Sequence, residues 1–339
     1  MRDVRLMAAA MAVIVIVLAG EAYIYCNDWE EMYRSELSQD GHSVEISSGS
    51  SNRYDVVTIG GSPEKAETTA IYYDPSYGEH LDETHHATGG TYLDQEYYVT
   101  MLADQLETRG AEARILDAGS LADMMRESMS SGRCSQAVVI ASGAIPDTIY
   151  SGSESDIVIQ WLNAGGRLYW IGGIIGQFIS HADGQVSDIG TGMQGLFLGS
   201  ATQNEAETFG TEPISEEWSE SLSLMGNGTL YGVDASNCRD SLQMGFTDGT
   251  YSSIGLVGKG EGFVCVFGGV LSNDQRADVA QVLASGIGPD SHILDHRSGS
   301  VTRETVSVPL ESAGPSDSVY VYLGGYFAVY GKSFRISGR

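Results

Sequence analysis

Lysine is almost missing from this chain: Lys65, Lys259 and Lys332 are the only three among 339 residues. Basic residues number 18 against 45 acidic ones, a formal charge of −27 at pH 7. A surface of that sign repels phosphate backbones, so nucleic acid is excluded as a partner, and it favours cations, basic partners and solubility in high salt. Cysteine is scarce too. Cys26, Cys134, Cys238 and Cys265 show neither Cys-x-x-Cys nor zinc-finger spacing. Cys265 lies in the apolar run Phe263–Phe267 and reads as a buried thiol. Cys134 and Cys238 sit beside polar residues and would pair only in an oxidising compartment.

Several catalytic signatures are also absent. The sequence has no Gly-x-Ser-x-Gly elbow, no P-loop and no His-Glu-x-x-His. Gly190-x-Gly192-x-x-Gly195 matches the dinucleotide pattern in letters, but Asp183–Asp188 before it is not strand-like, so it reads as a loop. No solenoid period runs along the chain.

Long apolar runs are absent except at the amino terminus. Arg2 and Arg5 precede Leu6–Gly20, and continuing the helix to Cys26 gives about 31 Å, enough to cross a bilayer. Gly20-Glu21-Ala22 is a poor cleavage site, and Tyr23 and Tyr25 supply interfacial aromatics. Residues 1–26 are therefore expected to be a signal anchor, with a cleaved signal peptide as the alternative. The expected address is the cell membrane, single-pass, with the globular part outside the cytoplasm and the membrane held through this N-terminal helix. At that address Asn227-Gly228-Thr229 is a glycosylation sequon. Residues 27–65 read as a polar stalk, with a linker at Ser47–Ser51 and a short strand at Tyr54–Ile59.

What the chain does contain is clearest in residues 135–178. Gln136–Ser142 is a short Val/Ile-rich run suited to a buried strand. Ser153 and Asp156 open a helix with Ile157, Trp161 and Leu162 at helical spacing, closed by Gly165-Gly166. Arg167–Ile171 is a second strand, running into Gly172-Gly173-Ile174-Ile175-Gly176. The same alternation precedes it. Thr68–Tyr73 and Ala113–Leu116 read as strands, and Tyr92–Arg109 and Leu121–Met129 as helices, the first with Tyr97, Met101, Leu102 and Leu106 on one face. Residues 179–250 are less regular. Ile254–Val257 and Phe263–Phe267 form a hairpin, Asn273 or Asp274 caps a helix to Ser285, and a β-rich tail, 289–339, holds a hairpin turning at Gly324-Gly325. The expected fold class is α/β: a flavodoxin-like parallel sheet over 66–288 with helices on both faces, plus the β-rich C-terminal appendage and the N-terminal membrane helix.

This order of elements resembles the class I glutamine amidotransferase-like superfamily, including ThuA-like and DUF4350-like domains. The resemblance covers roughly residues 66–288. It rests on the strand ending in Ser142-Gly143-Ala144-Ile145-Pro146-Asp147, the helix closing with Asn163-Ala164-Gly165-Gly166, the strand into Gly172–Gly176, and Gly258–Gly268. Active members carry Gly-x-Cys-x-Gly at the elbow, and here the matching positions are Gly172, Ile174 and Gly176. Isoleucine has no nucleophilic atom, and Phe267-Gly268-Gly269-Val270 lacks the histidine–acid pair expected after the late strand. The resemblance thus implies the fold without its chemistry, and no catalytic residue is assigned. It also implies a crevice at the carboxyl ends of the strands, with Ser142, Gly143, Asp147, Gly172, Gly173 and Ile174 as binding candidates.

One loop offers other chemistry. Asp74, His80, Asp82, Glu83, His85 and His86 follow the first sheet strand and carry oxygen and imidazole donors for a divalent metal. No other cofactor is expected. The reading that results is a non-catalytic, membrane-tethered binding or assembly domain outside the cytoplasm, with a protein, small-molecule or glycan partner. Two alternatives stand beside it: a metal-dependent hydrolase using the 74–86 loop, and a structural component of the cell envelope.

Overall fold

The structure is a computed structural model, and it describes residues 33–336 except 40, 64, 65, 67, 82–92, 133, 206–211, 227–230, 269, 270, 311, 312 and 325–328. The chain enters as three strands, β1 (Tyr33–Leu37), β2 (Ser43–Ser48) and β3 (Ser51–Gly60). In β2, Val44 and Ile46 are buried on either side of exposed Glu45, the period of a half-buried strand. β3 differs, being buried continuously from Asp55 to Gly60. That marks a strand covered on both faces.

The middle of the chain alternates strand and helix: β4 (Thr69–Tyr72), α1 (Gln95–Glu107), β5 (Ala113–Leu116), α2 (Ala118–Ser131), β6 (Ala137–Ile140), β7 (Ile145–Pro146), α3 (Ile157–Asn163) and β8 (Arg167–Gly172). Short elements follow, β9 (Phe178–Ser180), β10 (Val186–Asp188), α4 (Gly195–Leu198), β11 (Thr202–Glu205), α5 (Glu216–Ser221) and β12 (Tyr231–Asp234). Then come β13 (Ser241–Asp248), β14 (Tyr251–Lys259), β15 (Gly262–Gly268) and α6 (Asn273–Ser285). The carboxyl-terminal strands are β16 (His292–Thr302), β17 (Thr305–Pro309), β18 (Ser318–Gly324) and β19 (Val329–Arg335).

The helices start where polar side chains take over orphan backbone donors. Asp94 accepts from Tyr97 N, Asp117 from Ser120 N and Ser272 from Gln275 N. Ser272, not Asn273 or Asp274, is therefore the cap of α6. α1 buries Tyr98, Val99, Leu102 and Leu106, whereas Tyr97, expected on the inner face, is 50% exposed.

The largest sheet runs β11-β12-β14-β15-β8-β6-β4-β5, with β13 added on β14. From β15 to β5 every pairing is parallel, and from β15 outward through β14 to β11 every pairing is antiparallel. The flavodoxin-like parallel sheet expected from sequence is thus corrected to a mixed one, with 41% strand and 23% helix among the described residues. The antiparallel half begins with the expected hairpin of Ile254–Val257 and Phe263–Phe267, now β14 and β15, and was missed beyond it, where polar strands such as Thr202–Glu205 do not announce themselves. Alternate residues feed two cores. Val139 packs with α1 and α6, while Val138 and Ile140 pack with α2 and α3.

The first and last described strands come together as sheets β1-β2-β17 and β16-β3-β18-β19. Within the expected stalk, Tyr33–Leu37, Ser43–Ser48 and Ser51–Gly60 are paired strands there, the last containing the short strand expected at Tyr54–Ile59. Val56 joins Val44, Ile46, Val301 and Val321 in a core between the two sheets, while Val57, Ile59 and Tyr320 turn into the core beneath α6. The sheet containing β3 is the middle layer, which explains its burial on both faces.

Among the described residues no helix is long and apolar enough to cross a membrane. The expected N-terminal membrane helix, residues 1–26, lies outside the described residues, as does Asn227. The single-pass cell-membrane placement, having no such helix in its support, is corrected and set aside.

Candidate functional site

Three loops leave the carboxyl ends of β4, β6 and β8 and stack on one another. His80 N donates to Ser142 O at 2.8 Å, tying the first loop to the second. Gly143, at φ +67°, lies so close to the His80 carbonyl that any Cβ would collide with it. A Cβ on Gly172 would meet the Gly143 Cα at 2.9 Å, so the third loop closes on the second. The expected crevice is filled by backbone at its centre. Ser142 is buried, with its hydroxyl donating to Ala144 O at 2.6 Å.

The elbow itself is locked by a residue that the sequence did not single out. Gln203, 2% exposed, accepts from Ile175 N at 2.9 Å and donates from Nε2 to Gly173 O at 2.8 Å. In a nucleophile elbow, the N–H after the nucleophile is an oxyanion donor. Here that N–H belongs to Ile175 and is occupied. Ile174 itself is half-buried, and Trp170 Nε1 also donates to Gly173 O, at 2.7 Å.

Polar side chains stand instead on the small sheet β10-β9-β7 above these loops. β7 and β9 are parallel, with Pro146 beside Ser180, so Asp147 and His181 leave the pair side by side. β10 folds back on β9 with Ser187 opposite Ile179, which puts Ser187 on the same face as His181. The result is a relay. Asp147 Oδ2 lies 2.8 Å from His181 Nδ1, and His181 Nε2 lies 3.0 Å from Ser187 Oγ. Tyr77 donates its hydroxyl to Asp147 Oδ1 at 3.2 Å, and its own pKa is raised by burial and by the Asp147 charge. The His80 ring stacks on Phe178 with centroids 3.6 Å apart, extending the face with an aromatic surface.

Asp147 was legible as a candidate from its place after a strand. His181 and Ser187 were not, because only the hairpin register brings them together. The available signal was Asp183-Gly184, a tight-turn dipeptide between Ile179–His181 and Gln185–Ser187.

Of the metal candidates, only Asp74 and His80 lie among the described residues. Burial alone would raise the Asp74 pKa, but hydrogen bonds from Ser76 and from Ala118 N outweigh it and hold the pKa low. Asp74 is thereby committed to its loop and to the start of α2. His80 is stacked as described, and Asp82, Glu83, His85 and His86 lie outside the described residues. Among the described residues no group of three or more His, Cys, Asp or Glu is placed to hold a metal.

No family model matches the chain, and no curated protein matches it. Solved structures do. A β-galactosidase from Bacillus circulans sp. alkalophilus aligns at 11% identity and TM-score 0.36, over 76% of this chain and 35% of that one. The cold-adapted β-galactosidase from Rahnella sp. R3 aligns at 13% identity and TM-score 0.36, over 81% and 42%. A cytoplasmic protein from Salmonella typhimurium aligns at 12% identity and TM-score 0.37, over 64% and 97%. The chain spans about a third of the first β-galactosidase. Scores this low carry no argument about fold or activity.

Proposed function

We propose that this protein is a non-catalytic binding or assembly domain, whose recognition face is the rim formed by the loops after β4, β6 and β8. The observation that carries this reading is the sealed elbow: an isoleucine at the nucleophile position, and Gln203 on the following N–H. Acyl transfer needs both a nucleophile and donors left free for the developing oxyanion. The amidotransferase-like resemblance fits a fold kept for binding. The rim offers a carboxylate, an imidazole, hydroxyls and a stacked aromatic pair, chemistry suited to a hydroxyl-bearing ligand such as a glycan or to a polar protein surface.

One observation favours a second reading. The Asp147–His181–Ser187 distances are those of a nucleophilic relay, in which His181 Nε2 would take the Ser187 proton as Oγ attacked an ester carbonyl. Against it, Ser187 lies in a regular ladder. His181 N to Gln185 O and Ile189 N to Gln177 O, at 3.0 and 2.9 Å, make Ser187 and Ile179 a hydrogen-bonded pair, so the Ser187 N–H is already used. Treating the full chain with a fluorophosphonate probe and mapping adducts by mass spectrometry separates the two. The binding reading expects no adduct at Ser187, and no ammonia released from glutamine. An adduct at Ser187 that is lost in His181→Ala would replace it with the hydrolase reading.

A further inference from the structure

The amino termini of α1 and α6 meet at the carboxyl edge of the large sheet, away from the elbow. Leu93 N, just before α1, donates to Leu271 O, just before α6, at 3.0 Å. Gln95 begins α1 and is 7% exposed; Arg276 lies in the first turn of α6 and is 5% exposed. Buried donors of this kind are normally matched by acceptors. Here Gln95 Nε2 and Arg276 Nε and Nη1 have no hydrogen-bond partner among the described residues. All the unmet groups are donors, and one of the two side chains is cationic. Arg276 Nη2 is held by Asn273 Oδ1 at 2.9 Å, which folds the guanidinium back over the first turn of its own helix. The Arg276 Cζ also sits 5.6 Å from the ring centroid of Tyr97, in the first turn of α1. The guanidinium therefore lies between the two helix ends. Tyr97 is half-exposed, so the ring beside this charge reaches solvent.

We propose that these paired helix amino termini form a binding site for a small oxyanion, a phosphate or carboxylate group, with Arg276 and Gln95 as its donors. Helix amino termini carry partial positive charge and bind anions, and in open α/β sheets ligands occupy this edge. The neighbouring acids do not remove the need for an acceptor. Asp94 is engaged by Tyr97 N, Glu96 accepts from the Tyr73 hydroxyl, and Asp278 accepts from Met225 and Gly226 N; Asp274 shares the first turn of α6. An anion entering a chain of charge −27 needs a discrete cation, and Arg276 supplies it. The site goes beyond the binding reading, because it shares no residue with the elbow or the rim.

Isothermal titration of the full chain with inorganic phosphate, and separately with succinate, tests it. The expected result is saturable binding of at least one of them at a single site, weakened about tenfold or more in Arg276→Met and in Gln95→Leu. Arg276→Met is expected to fold, because it removes an unmatched buried charge; Gln95→Leu gives an independent reading if it does not. Phosphate alone, succinate alone, or both would identify the oxyanion. No saturable heat with either anion, or equal affinity in wild type and folded variants, would overturn the site while leaving the elbow argument untouched.

Discussion

The backbone N–H of Ile175 donates to Oε1 of Gln203, 2.9 Å away in a buried setting. The same amide donates through Nε2 to Gly173 O. One side chain from β11, in the antiparallel half of the large sheet, thus closes the turn at the end of β8, in the parallel half. The Ile175 N–H and the Gly173 carbonyl of that turn are both occupied.

Replacing Gln203 by leucine leaves the buried Ile175 N–H without its acceptor, while Gly173 O keeps Trp170 Nε1. An unmatched buried group costs about 1–3 kcal/mol, so Gln203→Leu is expected to lose stability in that range. Urea unfolding, read as a fall in midpoint at constant slope, checks it. No change would mean that water replaces the amide and that the elbow is less closed than described.

A second buried amide, on α6, joins the terminal β layers to the segments that follow α1 and α5. Gln281 Oε1 accepts from Arg109 Nε at 2.8 Å and from the Tyr320 hydroxyl at 2.7 Å, while its Nε2 donates to Leu222 O at 3.0 Å. Burial raises the Tyr320 pKa, so the phenol stays protonated and donating. Gln281→Ala strips all three bonds and leaves a buried cation less satisfied, at a cost of about 3 kcal/mol or more. Residues 292–335 should then become the first site of limited proteolysis, before α1 or α2 is cut. Unchanged cleavage order would show that apolar packing alone holds the layers together.

The parallel half of the fold was legible because its strands are continuous apolar runs and its helices carry periodic stripes and caps. Val138–Ile140 and Leu121, Ala122 and Met125 are examples. Apart from the local hairpins β14–β15 and β18–β19, the rest depended on pairing between distant segments. β3 meets β16 and β18, as in the Asp55–His296 contact of 3.0 Å, and nothing local to residues 51–60 announces those partners. Polar strands such as Thr202–Glu205 carry too little hydrophobic signal to be read alone. The rim failed for the same reason, since its histidine and serine converge only through a register.

Cys134, Cys238 and Cys265 are free thiols, and the first two have different neighbours. Cys134 Sγ lies 3.8 Å from Ser128 Oγ, and Cys238 Sγ lies 3.2 Å from Ser200 Oγ. Cys265 is fully buried, and burial pushes its pKa well up, away from the reactive thiolate. A thiol-titrating disulfide reagent on residues 33–339 should therefore react with Cys134 and Cys238 in the native protein and with Cys265 only after unfolding. Prompt native labelling of Cys265 would show that the core around β15 opens on the assay timescale.

Asp278 is almost completely buried on α6, where its two carboxylate oxygens accept from Met225 N at 2.8 Å and Gly226 N at 2.9 Å. Desolvation dominates over those bonds and pushes its pKa up to about 7, against 3.8 for an ordinary aspartate. Between these values the unfolded chain loses its proton readily while the folded chain resists. Rising pH therefore favours unfolding across that window, and the group's effect levels off once the folded carboxyl has ionised. The expected loss is on the order of 1 kcal/mol per pH unit. Asparagine does not titrate, so the stability advantage of wild type over Asp278→Asn should shrink from pH 4 to pH 7 and hold constant above it. Urea unfolding of both proteins across that range measures the difference, in which other titrating groups cancel. A flat difference would mean that water reaches Asp278 in the folded state, and an increasing one that the two backbone N–H bonds outweigh its burial.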